Sequence, residues 1–332
     1  MDMEDILDAC PSLKGISIHN TMTVHHSRDP WWKERSMLMS PTTLQELDIR
    51  VMFGDQYRQI ATIIARHSAH LKRIHLLIDG GDWGAHMKQH DFNTLVYDPL
   101  LALKEFKYLA NRRAPVEASF VIPLLKKCPS LQRLSLDARN ADPIYRALVG
   151  LDLLHLQYLS VCNTDWQMNG LEDLLFSIAN TNAPLEHFVF SGDVFQSHVI
   201  YQALAQISSL RHIELKDFAR IRDKKCMTRC LSRLRGDGSC TRNLESIMFF
   251  NVEGFMTVEA FGSLRKILSL KRVTFHRCGY VSERGLRLLI DRQPPLDFLK
   301  IHLSSRTMDH KPLEPILAYA RTKIHHVESP GP

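Results

Sequence analysis

Residues 270–296 read LKRVTFHRCGYVSERGLRLLIDRQPPL. Leu270, Val273 and Phe275 stand at the spacing L-x-x-L-x-L, and the last two alternate with polar residues as a half-buried strand does. Cys278 follows at the turn. Val281, Ser282, Glu283, Gly285 and Leu286 then open a second segment that runs through Leu288 and Leu289, with Ser282 at a helix entry. Leu296, Leu299 and Ile301 restart the first pattern. The stretch is one unit, a short strand followed by a helix.

The unit recurs along most of the chain. The same triplet appears as Leu13/Ile16/Ile18, Leu44/Leu47/Ile49, Leu71/Ile74/Leu76, Leu103/Phe106/Tyr108 and Leu131/Leu134/Leu136. It continues as Leu156/Leu159/Val161, Leu185/Phe188/Phe190, Leu210/Ile213/Leu215 and Leu244/Ile247/Phe249, ahead of the two copies already quoted. The eleven copies step by 25 to 34 residues with a mean near 28. That period and that motif are those of a leucine-rich repeat. The expected fold is therefore an α/β leucine-rich-repeat solenoid, a horseshoe of about eleven strand–helix repeats with a parallel concave sheet. At ~4.8 Å between strands, its inner face spans about 50 Å. A solenoid grows by adding units that touch their neighbours, so the 332 residues read as one domain, 1–332, with an incomplete first repeat.

Seven segments between the triplets have helical periodicity: 57–67, 116–127 (with Pro123 a defect), 170–179, 197–206, 258–267, 282–291 and 312–320. Three connections are long, near 20–43, 79–100 and 217–243. In repeat proteins such insertions gather on one side, often the binding side. The first carries Trp31 and Trp32, whose bulk caps the local core or meets a partner. The last carries a basic run through Arg220, Arg222, Lys224, Lys225, Arg229, Arg233 and Arg235, read as a solvated face.

The seven cysteines, Cys10, Cys128, Cys162, Cys226, Cys230, Cys240 and Cys278, are odd in number and lack a C-x-x-C pair. Cys10 and Cys128 each open a C-P-S-L string, and these positions read as buried free thiols of a reducing compartment, cytoplasmic or nuclear. No signal peptide is visible, and no stretch has the ~20 apolar residues of a membrane helix. The net charge of +6 fits an acidic partner and is too small to imply nucleic acid. No nucleophile elbow, phosphate loop, dinucleotide fingerprint or H-E-x-x-H is present. His86/His90, His25/His26 and His325/His326 have no third ligand at a metal-site spacing and read as solvated loop residues. No enzyme activity, cofactor or metal is expected.

The informative positions lie between the core residues. Alternate strand side chains point to opposite faces, so the residues flanking each pair of inward leucines face out. In the C-terminal half these include Tyr158, His187, Val189, His212, Met248, Phe250, Arg272, Thr274, His276, Phe298, Lys300 and His302. Aromatic and apolar groups gathered on an open wall mark an interface. The candidate partner-binding set is Tyr158, His187, His212, Met248, Phe250, Arg272, His276, Phe298, Lys300 and His302, with Trp31 and Trp32 as a secondary site. The partner fitting the histidines and bases is a protein segment, acidic or phosphorylated, held more tightly at pH 6 than at pH 8.

The C-P-S-L starts, the Cys278 turn and the G-L helix entry at Gly285 and Leu286 resemble the repeat region of F-box leucine-rich-repeat proteins. The subtype is the cysteine-containing one, with the irregular lengths of fungal members. That resemblance implies a repeat array that holds a substrate, with an N-terminal F-box docked on the adaptor of a cullin (SCF) ubiquitin ligase. About a dozen residues precede the first triplet, too few for an F-box, so the resemblance reaches the substrate-recognition half. The other class open to the chain is a free-standing leucine-rich-repeat adaptor or inhibitor, similar to ribonuclease-inhibitor-like proteins.

Overall fold

A computed structural model describes residues 7, 9–10, 12–18, 43–51, 56–78, 98–110, 118–138, 141–151, 153–162, 169–192, 198–217, 226–235, 243–252, 256–279, 281–303 and 314–329. They fall into two compact units, Met1–Leu156 and Gln157–Pro332. The first unit holds β1 (Gly15–Ile18), β2 (Glu46–Val51), α1 (Gln56–Arg66), β3 (Arg73–Ile78), β4 (Glu105–Ala110), α2 (Ala118–Leu125), β5 (Arg133–Asp137) and α3 (Asp142–Val149). The second begins with β6 (Tyr158–Cys162), α4 (Asn169–Thr181), β7 (His187–Ser191), α5 (His198–Leu204), β8 (His212–Lys216), α6 (Cys226–Arg235) and β9 (Ser246–Phe250). It ends with α7 (Val258–Arg265), β10 (Arg272–Cys278), α8 (Glu283–Ile290), β11 (Phe298–Leu303), α9 (Glu314–Arg321) and β12 (His326–Glu328). Within each unit the strands follow chain order and pair in parallel. The fold is the α/β leucine-rich-repeat solenoid.

One carbonyl sets the register of each repeat. The backbone oxygen of Glu186 accepts from the N–H groups of Arg211 and His212, both at 2.9 Å. Gln157 repeats this two-donor arrangement one strand before, and Arg211, Glu245 and Lys271 repeat it at the next three strands. Each new strand therefore starts opposite the same place in the last, and equivalent residues fall into columns. The inward columns form the core. Phe188, Phe190, Phe249, Phe275 and the leucines of every described triplet from Leu44 on are buried. The Phe249 and Phe275 rings stack at 5.3 Å, 5° from parallel.

The helices close the other side of that core. Ser282 caps α8 by accepting from the Gly285 N–H at 3.2 Å, and Thr257 caps α7 through Ala260 at 3.3 Å. Gly285 answers a packing need. A Cβ there would stand 2.2 Å from Cδ2 of Phe261, whose ring is fully buried. The G-L of the repeat is thus the close approach of α7 to α8.

The structure corrects several expectations. A twelfth strand, β12, follows the eleven expected, so His326 is a strand residue, not a loop one. Its triplet was hidden because Ile324 and Val327 are followed by Ser329 where a third apolar residue would stand. Two helices were not expected. In α3 the pattern is eight residues long and opens on Asp142-Pro143. In α6, Met227, Cys230, Leu231 and Leu234 make a buried stripe interleaved with exposed Arg229 and Arg233, so these two residues of the basic run lie on the solvent face of a helix. Cys10 is exposed, against the buried position expected for it. Cys128 and Cys278 are buried, and burial pushes both thiols up to about 12. Their Sγ atoms donate to the carbonyls of Leu124 and Phe249. Of the insertions at 20–43 and 79–100, residues 20–42 and 79–97, with Trp31, Trp32, His25, His26, His86 and His90, lie outside the described residues.

His67 and Arg292 occupy equivalent places, four residues ahead of Leu71 and Leu296, and each is only 1% exposed. Burial, with the charges of Arg66 and His70, holds the His67 pKa down to about 4 from an ordinary 6.5. The native ring stays neutral while the unfolded ring takes up a proton. Its contribution is therefore complete above the unfolded pKa and lost as pH falls from 6.5 through about 4, at a cost of about 3 kcal/mol. Urea midpoints for the parent and His67→Leu should diverge across that window, the parent losing more. Parallel curves would show that the ring titrates equally in both states.

Candidate functional site

The second unit presents seven strands whose outward residues form three columns. The first runs Tyr158, His187, His212, Ser246, Arg272, Phe298 and His326. The second runs Ser160, Val189, Glu214, Met248, Thr274, Lys300 and Glu328. The third runs Cys162, Ser191, Lys216, Phe250, His276 and His302. All ten sequence-chosen candidates stand on this one face, because parallel in-register pairing puts equivalent residues side by side. Val189 and Thr274 stand in an outward column yet are buried.

The aromatic and imidazole rings are in contact along the columns. Tyr158 meets His187 at 4.9 Å, and His187 meets His212 at 5.5 Å. Phe250 stacks on His276 at 4.8 Å and 9°, and His276 meets His302 edge-on at 4.6 Å. Phe298 stacks on His326 at 5.3 Å. These are half-buried ladders that still show one face to solvent.

Two carboxylates that sequence reasoning left out organise the charge. Glu214 on β8 receives His187 Nε2 at 3.0 Å and Lys216 Nζ at 2.6 Å. The His187 hydrogen bond, with help from Lys216, holds the Glu214 carboxyl down to about 2. Glu328 on β12 receives Lys300 at 2.7 Å and His326 at 3.1 Å. The Lys300 bond, then that of His326, lowers its pKa. Neither was chosen as a site residue, because each meets one partner, His187 or Lys300, across strands through the register, beside one two residues away on its own strand. Their signal was their place in an outward column.

Two of the histidines, His212 and His276, are less ready to charge than their type implies. Desolvation first, then His187, lowers the pKa of His212. Desolvation first, then His302, Arg277 and Lys300, lowers that of His276. Added positive charge at these two rings therefore needs a pH below the ordinary imidazole range, or an anion beside them.

The left-handed backbone recurs at the ends of β8, β9 and β10. Asp217, Asn251 and Arg277 have φ of 58°, 52° and 51°. Asn251 Nδ2 donates to Asp217 Oδ1 at 2.9 Å, and Ser191 Oγ donates to Asp217 Oδ2 at 3.2 Å. Asp and Asn tolerate this region better than most side chains, so the turns rim the face with a fixed polar chain.

Among the described residues no group of three or more His, Cys, Asp or Glu could hold a metal ion. No helix among them is long and apolar enough to cross a membrane. No family model and no curated protein matches the chain. Among solved structures it is similar to the leucine-rich repeat-containing protein LegL7 from Legionella pneumophila. The identity is 11% and the TM-score 0.49, over 85% of this chain and 90% of that one. The fold assignment rests on the repeat and its register, not on that likeness.

Proposed function

We propose that the chain is a protein-binding module, without catalysis of its own, whose partner lies across the open face of β6–β12. It serves as the substrate-recognition part of an F-box-type (SCF) ubiquitin ligase. The observation that carries the binding reading is the run of ring ladders and apolar side chains standing half-open on one sheet face. The ligase reading rests on the resemblance of the repeats at Cys128 and at residues 278–286 to the cysteine-containing fungal-type repeats of F-box proteins. The other reading, a free-standing adaptor or inhibitor, keeps the same face and drops the ligase. The buried thiols of Cys128, Cys230 and Cys278 support work in the cytoplasm or nucleus.

Affinity capture of the natural full-length protein, followed by mass spectrometry, separates the two. Recovery of a cullin-ligase adaptor with the target supports the ligase, and a target recovered without adaptor favours the free-standing form. The face itself is tested by Phe250→Ala combined with Arg272→Ala. Interface anchors are worth ~2 kcal/mol or more each, so capture should weaken by about 100-fold or more. The melting temperature should barely change, since both side chains point away from the core. Full binding by that variant, with loss on removal of Trp31 and Trp32, would move the site to the N-terminal insertion.

A further inference from the structure

The three strands β9–β11 put nine outward residues side by side, and none is acidic. Met248 and Phe250 supply apolar surface there, and Arg272, Lys300, His276 and His302 supply basic groups. The carboxylates stand one strand away on either side, and both are already engaged: Glu214 by His187 and Lys216, Glu328 by Lys300 and His326. The outward face of the first unit is arranged differently. There Glu46 pairs with Arg73, and Glu105 lies 3.2 Å from His75 and 3.9 Å from Arg133, so neighbouring strands satisfy one another's charges. Only the β9–β11 block, among the described strands, joins apolar anchors to basic groups without an acid of its own.

We propose that this block takes an acidic peptide segment, its carboxylates against Arg272 and the His276–His302 pair, and an apolar side chain against Met248 and Phe250, with Lys300 held by Glu328 at its edge. The inference rests on the binding reading above and names the partner's chemistry. Arg272 is exposed, and its guanidinium fork matches a carboxylate in a bidentate way. The imidazole pair adds a coupling. His276 faces Phe250 on β9, His302 and Lys300 on β11, and Arg277 on its own strand. His302 faces His276 on β10, while the carboxylate of β12, Glu328, is held by Lys300 and His326. Charging His276 costs desolvation first and then meets repulsion from His302, Arg277 and Lys300, which a bound carboxylate offsets. Linkage requires that a ligand favouring the protonated ring binds with proton uptake and more tightly as pH falls.

The test is selection of a random twelve-residue displayed peptide library on the full chain at about pH 6. The strongest binder is then measured as a synthetic peptide by calorimetry. The expected consensus has two or more Asp or Glu around one large apolar residue. Arg272→Glu should weaken the peptide by about tenfold or more, and a Glu→Lys change in the peptide should restore binding to that variant. Calorimetry in buffers of different ionisation enthalpy should show proton uptake that His276→Gln with His302→Gln abolishes. Enrichment of neutral or basic peptides that are lost with Phe250→Ala would overturn the acidic partner and leave the binding face standing. Peptides that respond to no change on the face, or no enrichment at all, would overturn the binding reading as well. Binding at least tenfold tighter when phosphoserine replaces the peptide's Glu would overturn the carboxylate assignment.

Discussion

Arg292→Ala is expected to cost about 4 kcal/mol, because it removes three hydrogen bonds made by one charged group and leaves their acceptors unmet. The guanidinium lies beneath the surface between α8 and β11 and is 1% exposed. It donates to the carbonyls of Leu270, Ile267 (2.6 Å) and Leu268 (3.1 Å), the turn between α7 and β10. These carbonyls lie past the end of α7, outside any helix or strand ladder, and the guanidinium supplies the donors that burial would otherwise deny them. Burial lowers the pKa of this arginine, yet it remains a base far above neutral. Lysine offers a point charge in place of a fork, so Arg292→Lys should recover only part of the loss. Urea unfolding followed by fluorescence measures both. An unchanged midpoint for the alanine variant would mean that the turn finds other donors.

Leu134→Asp is expected to cost at least as much, while Ser135→Asp one residue along leaves stability within about 0.5 kcal/mol. Leu134 is wholly buried on β5, opposite buried Phe106 of β4. A carboxylate there loses its hydration and gains no cation. Ser135 faces outward beside Lys107, where an added carboxylate meets a favourable charge. The two variants differ by one step along a strand, so the comparison reads the register directly. Equal melting temperatures would show that the inward and outward columns have been exchanged.

The repeat itself was legible in the sequence because its causes are local. The alternation of Leu134 with Ser135, or of Phe275 with His276, is the two-residue period of a strand, and one glance along the chain reveals which side each faces. The same holds for Ser282 as a cap and for the seven helices with clear periodicity. Where the local pattern was short or interrupted it failed: the two-thirds triplet of β12, the brief α3, and α6 beneath its arginines. What the sequence by itself determined, then, is the repeat, its strands and helices, and which residues line the open face. Only the tertiary structure decided which of those residues are spent on one another. Glu214 with His187 and Lys216, Glu328 with Lys300, and Arg292 with the turn before β10 mostly join partners more than twenty residues apart in the chain. Parallel register brings such residues side by side, and no local pattern records the pairing. The same register left β9–β11 with anchors and bases but no acid in their outward columns, because which residues share a column is set by which strands lie side by side.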